Sequence, residues 1–167
     1  RSYGPGYHTV TLSVSNSSGV ASVTKTAYVR VLGSTNYVAM DGGHIFPYVT
    51  WAGASTSLYD AVNAAIDGGV VFVSNGTYRP WDIQLSRGIR VTGFGGITGT
   101  VINGGNRTLI GHSDAILEYF TVTRGQGITL NGGTVRHCDI VSNFYQNTTG
   151  GGGIRIDAGS IYDCTIR

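Results

Sequence analysis

Charge is scarce in this chain. Nine acidic and eleven basic side chains in 167 residues leave a formal net charge of +2. The basic residues are scattered and form no stripe, which argues against a nucleic-acid surface. Two cysteines are too few for a disulfide scaffold. No run approaches the roughly 18 apolar residues of a membrane-spanning helix, so no membrane insertion is expected. Lys25 and Glu118 are the sole lysine and glutamate, so two strong helix formers are almost missing. The chain begins at Arg1 without an initiator methionine or a leader, which predicts a mature product or a fragment. No cofactor motif is present. The glycine-rich "GFGGITG" (Gly93–Gly99) has no following Lys-Ser/Thr and no expected helix, so it is not taken as a phosphate loop.

What is abundant is glycine, with 27 residues, accompanied by Val, Ile, Thr and Tyr. That makeup predicts an all-β protein with many turns. Four Asn-x-Ser/Thr triplets, at Asn16, Asn75, Asn106 and Asn147, are the number that chance matching produces in a Ser/Thr-rich chain.

Near the C-terminus the sequence repeats. "GTVRHCDIVSN" and "GSIYDCTIR" align with Cys138 on Cys164, Val135 on Ile161 and Ile140 on Ile166. "AILEYFTVT" adds Leu117, Phe120 and Val122 at the same three positions, and "GITL" lies over "GIRI". Units this short cannot bury an apolar face alone; they must stack. The alignment predicts two inward ladders, Phe120–Cys138–Cys164 and Val122–Ile140–Ile166. It also predicts passes of about 18 residues, one lengthened by "FYQNTTGGGG".

Upstream, residues 7–32 alternate, with Val10, Leu12 and Val14 on one face and Thr9, Thr11 and Ser13 on the other. "NSSG" makes a turn between alternating runs. This predicts two or three antiparallel strands with one buried face. Residues 33–36 are expected to be a linker. "STSLYDAVNAAIDGG" predicts a helix capped by Ser57, with Leu58, Val62, Ala65 and Ile66 in one stripe and Asp67-Gly68-Gly69 as its stop. The domain reading is therefore a strand module (1–32), a linker (33–36), an N-terminal segment with a capping helix (37–69) and stacked rungs (70–167).

Two stretches resemble known families. "YGPGYHTVTLSVSNSSGVASVTKTAYVRV", with its Pro-Gly turn leading into an alternating strand, resembles the last strands of a PKD-type immunoglobulin-like domain. That family's earlier strands, with their Gly-Asp-Gly turn, are not in this chain. From about residue 36 onward the chain resembles bacterial secreted β-helix proteins of the pectate-lyase-like fold. The residues that carry this are Pro47, Tyr48, Trp51, Val73, Asn75, Gly76 and Tyr78, followed by Gly-rich rungs. The resemblance implies a right-handed parallel β-helix with an N-terminal capping α-helix, preceded by a partial immunoglobulin-like strand module. It also implies secretion to the bacterial cell surface or beyond. It does not imply an activity, because the fold hosts lyases, hydrolases and adhesins alike.

The stacked register allows a search for chemistry. Asp139 falls between Thr121 and Thr165, Asp157 above Asn131, and Asp163 above His137 and Tyr119, so no acid stacks on another. A clustered-carboxylate lyase or hydrolase site is therefore not expected within these residues, and no catalytic residue is assigned. Two cross-rung pairs emerge, Glu118 with Arg136 and His137 with Asp163; the expected reading is an ordinary cross-strand contact. The alternative for His137 and Asp163 is half of a general-base arrangement, beside which no Ser or Cys nucleophile stands. Tyr119, Arg136, His137, Arg155, Tyr162 and Asp163 are the candidates for contact with a carbohydrate. The flexible excursion "NTTGGGG" (Asn147–Gly153) is a candidate packing surface. For Cys138 and Cys164 the expected reading is inward packing. A disulfide remains the alternative, strained by side-by-side Cβ vectors, and a metal site lacks further ligands.

The function expected from these residues is structural: an extracellular stalk, adhesin or filament subunit that self-associates through uncapped ends. The chain stops at Arg167, just after the inward Ile166, with no closing cap. The alternative is the N-terminal part of a polysaccharide lyase or glycoside hydrolase, or a glycan-binding module, with an extracellular polysaccharide as partner.

Overall fold

A computed structural model describes residues 2–106, 108–144 and 152–167. Strand accounts for 54% of the chain and helix for 7%, so the protein is mostly β with parallel sheets. In order the elements are β1 (Gly6–Asn16), β2 (Gly19–Val31), β3 (Gly33–Val38), α1 (Leu58–Ala64), β4 (Ala65–Val73), β5 (Gly76–Tyr78), β6 (Ile83–Leu85) and β7 (Arg90–Gly93). There follow α2 (Gly96–Gly99), β8 (Thr100–Asn103), β9 (Thr108–Ile110), β10 (Ile116–Glu118), β11 (Thr121–Thr123), β12 (Ile128–Arg136), β13 (Asp139–Val141), β14 (Ile154–Tyr162) and β15 (Thr165–Ile166).

From β3 onward all strand pairing is parallel and falls on three ladders. One runs β6–β9–β12–β14 through Leu85, Ile110, Leu130 and Ile156. The second runs β3–β4–β7–β10–β12–β14 through Asn36, Val71, Val91, Leu117, Val135 and Ile161. The third runs β5–β8–β11–β13–β15 through Tyr78, Ile102, Val122, Ile140 and Ile166. Each strand points its alternate residues inward, so that apolar side chains stack between the ladders. Leu85, Ile110, Leu130, Val91, Leu117, Val135, Ile102 and Ile140 are all buried there. Each such side chain contributes roughly 1.5–3 kcal/mol through burial.

The passes are unequal, and more than one is lengthened. Leu117 to Val135 is the short pass, whereas Val91 to Leu117 and Val135 to Ile161 are both longer. The first of these carries the one-turn helix α2 inside "GFGGITG", where no helix was expected. Gly127 shows how tightly the passes approach. It sits at φ +74°, and an added Cβ would overlap the carbonyl oxygen of Gly153.

At the N-terminal side Ser57 caps α1 as expected, its hydroxyl accepting the Asp60 N–H at 3.3 Å. Leu58, Ala61, Val62 and Ala64 are buried against β3, β4 and β6. The helix stops at Ala64, before Asp67-Gly68-Gly69, and Ile66 is exposed rather than part of the stripe. Ala65 already pairs with Gly33 as the start of β4, so ladder bonding wins over a further helical turn. Residues 33–36 correspondingly form β3 rather than a linker.

β1 and β2 form an antiparallel hairpin whose turn joins Asn16 to Gly19 as "NSSG" predicts. A register shift between His8 and Val10, with Ala27 at φ +51°, marks a bulge. The Tyr7 ring lies 4.5 Å from that of Phe46, and the Arg30 guanidinium sits 4.6 Å over the same ring, which fastens the hairpin base to the body. The expected buried face is open: Leu12 is 66% and Val23 62% exposed. Among the described residues β14 and β15 each have a neighbour on one side only, and Ile156 and Ile166 are also exposed.

Candidate functional site

The candidate carbohydrate residues gather mainly where the second ladder turns into the third. Tyr119, His137 and Asp163 occupy the same corner of successive passes, at φ +63°, +50° and +49°. This left-handed corner swings their side chains outward and lets Phe120, Cys138 and Cys164 turn back in. The Tyr119 ring stacks on the His137 imidazole with centroids 4.9 Å apart and planes 9° from parallel. His137 Nδ1 lies 3.6 Å from Asp163 Oδ2. Beside them Glu118, Arg136 and Tyr162 share one register, with Tyr162 exposed. A shallow groove of about 410 Å³ runs past Tyr119, His137 and Asp163, walled opposite by Ile97 and Thr98 of the α2 turn. That turn is pinned by a 2.7 Å hydrogen bond from the Thr121 hydroxyl to the Ile97 carbonyl.

Arg155 is not brought to this corner. It pairs with Thr129 on the first ladder and holds Asp157 at 3.1 Å. Asp157 is displaced by a register shift, so Ala158 rather than Asp157 faces Asn131. Asp139 does pair with Thr121 and Thr165. Most of the Asn147–Gly153 excursion lies outside the described residues.

The Glu118–Arg136 pair is more than a surface contact. Glu118 has no exposed side-chain surface and is held from both neighbouring passes. Arg136 Nε reaches Oε2 at 2.7 Å and Arg90 Nε reaches Oε1 at 2.5 Å. Burial acts to raise its pKa, but hydrogen bonds from Arg136, Arg90 and Thr92 outweigh that, and the carboxyl titrates below its ordinary range. With both oxygens engaged by guanidinium groups, Glu118 is a clamp between passes and is unavailable as an acid or base.

Cys138 is buried and Cys164 half-buried, both as free thiols. The Cys138 thiol beside it brings Cys164 down to about 7. Cys164, and then burial, push Cys138 up. Cys138 Sγ points to the Arg136 carbonyl at 3.2 Å and Cys164 Sγ to that of Tyr162 at 3.1 Å.

One Ser–His–Asp set arises that the sequence did not suggest. His44 Nδ1 lies 3.4 Å from Ser55 Oγ, and its Nε2 lies 3.7 Å from Asp60 Oδ2. The set cannot generate a nucleophile. Ser55 is buried, and its hydroxyl donates to the Ser57 carbonyl at 2.8 Å and accepts the Ser57 N–H at 3.0 Å. His44 Nδ1 is itself the acceptor of the Thr56 N–H at 3.1 Å. The group fixes the approach to α1, with Tyr48 packed beside it, its phenol pKa raised chiefly by burial.

Among the described residues no three His, Cys, Asp or Glu side chains lie close enough to hold a metal ion. No helix there is long and apolar enough to cross a membrane. Compared with protein-family models, with curated proteins and with solved structures, the chain matches none.

Proposed function

We propose that this chain is an extracellular structural protein of the bacterial surface or matrix, a stalk, adhesin or filament subunit. In this reading its three ladders are a right-handed parallel β-helix of the pectate-lyase-like kind, with α1 as the N-terminal cap. The β1–β2 hairpin is the strand pair of a PKD-type immunoglobulin-like module. Constant inward register on the three ladders supports the first assignment, and the alternating hairpin with its "NSSG" turn supports the second.

One observation carries the assembly role. Val10, Leu12 and Val14 oppose Lys25, Val23 and Ala21 on one face of a two-stranded sheet that none of the described residues covers. A lone hairpin with an apolar face is marginal in water and gains by pairing. Docking of that face on a different surface of a second copy, such as the β14–β15 end where Ile156 and Ile166 are exposed, gives a head-to-tail contact that need not close.

Sedimentation velocity across a concentration series tests this. The wild type is expected to form larger species as concentration rises. A Leu12→Asp/Val23→Asp variant with an unchanged far-ultraviolet spectrum is expected to stay at one small size. A wild type that is monomeric throughout, or a variant that associates equally well, overturns the proposal.

A further inference from the structure

A second surface lies on the other side of the capping helix. Tyr59 and Asp60 of α1 face Arg79, Trp81, Asp82 and Gln84 across a groove of about 610 Å³, within the roughly 300–1,000 Å³ span of small-molecule sites. Trp81 is 78% exposed and Tyr59 51%, so two aromatic side chains stand open on the walls of one groove.

The Trp81 segment is held in place. The Trp81 carbonyl accepts the Asn106 N–H at 2.7 Å, and Gly105 packs so closely on Pro80 that an added Cβ would overlap the Pro80 carbonyl. Gln84 Nε2 donates to Asp82 Oδ2 at 2.8 Å, which orients Gln84, while Asp82 Oδ1 is buried away from the groove surface. Tyr59 stands on a helix whose opposite side is buried. The groove is therefore formed before any ligand arrives, which lowers the cost of binding.

Its chemistry is selective. Aromatic faces suit a ligand with flat C–H surfaces. Carboxylates, an amide and a guanidinium suit one carrying many hydroxyls. A purely apolar ligand would strip water from the carboxylates without replacing their hydrogen bonds. Among the described residues two carboxylates stand against one guanidinium in the groove, a balance that disfavours uronates, sulfated glycans and phosphates. We infer that this groove binds a neutral pyranose oligosaccharide, stacked on Trp81 and Tyr59 and hydrogen-bonded by Asp60, Gln84 and Arg79, with Asp82 holding Gln84 in place. The inference is independent of the assembly through the hairpin.

The chain has two tryptophans, so a Trp51→Phe protein reports on Trp81 alone; Trp51 packs in an aromatic stack that phenylalanine preserves. Titrating it with cellohexaose, xylohexaose and mannohexaose, at least one is expected to shift and quench the emission saturably, with Kd of about 1 mM or tighter. Adding Tyr59→Ala, at an exposed position, is expected to weaken that binding at least about tenfold, and Asp82→Asn to weaken it less. Trigalacturonate is expected to leave the emission unchanged. The inference is overturned if none of the three neutral sugars alters the emission up to about 10 mM, if trigalacturonate binds as well, or if Tyr59→Ala binds undiminished.

Discussion

Glu118 shows how one residue can join three passes. Its carboxylate is buried, yet Arg90 and Arg136 keep their outer surfaces in water, so each guanidinium gives up only part of its hydration. Removing the charge strands two arginines over a dry site, and Glu118→Gln is expected to lower unfolding stability by about 2 kcal/mol at pH 7. Because the folded carboxyl titrates below its unfolded value of about 4.3, its contribution is complete above that pH. It is lost as the pH falls through the lower folded value. Chemical denaturation at a series of pH values should show this acid loss in the wild type and a reduced one in the variant. Cys164 offers a second check. Alkylation by iodoacetamide is expected to rise with a midpoint near pH 7 at Cys164, while buried Cys138 stays unmodified in the folded protein. Equal labelling of both thiols would contradict the described packing. In the sequence, Glu118 and Arg136 were legible as partners because the short pass keeps their register constant. Arg90 was not, since the longer preceding pass hid its neighbour.

Elements were legible where one physical demand set the pattern. The stacking of Val135 on Ile161 and Ile140 on Ile166 could be aligned by eye, because every pass must return an apolar residue to the same inward line. The Ser57 cap was equally plain, as a hydroxyl before an apolar stripe has few other uses. The end of α1 was not. Ala65 and Ile66 continue a helical stripe as well as they begin a strand, and only pairing with Gly33, 32 positions earlier, decides between them. β3 was concealed in the same way. "GSTN" has the composition of a connector, but its backbone groups find partners on β4. The Trp81 groove left a fainter signal: two aromatics 22 positions apart, on a helix and on a loop, share no periodicity that would link them.

On the scale of the whole molecule, the protein unites a body whose apolar residues are packed inward with a hairpin whose apolar face is open. The alternation of residues 7–32 correctly foretold the strands and their turn. Burial of the face depended on something the alternation does not contain, namely a covering layer. The same holds for Ile156 and Ile166 at the far side of the ladders. The proposed assembly through this surface is tested most directly by negative-stain electron microscopy of the purified protein. The account predicts elongated assemblies with a repeat of one chain, dispersed by Leu12→Asp/Val23→Asp. Discrete single particles at every concentration, alike in wild type and variant, would contradict it.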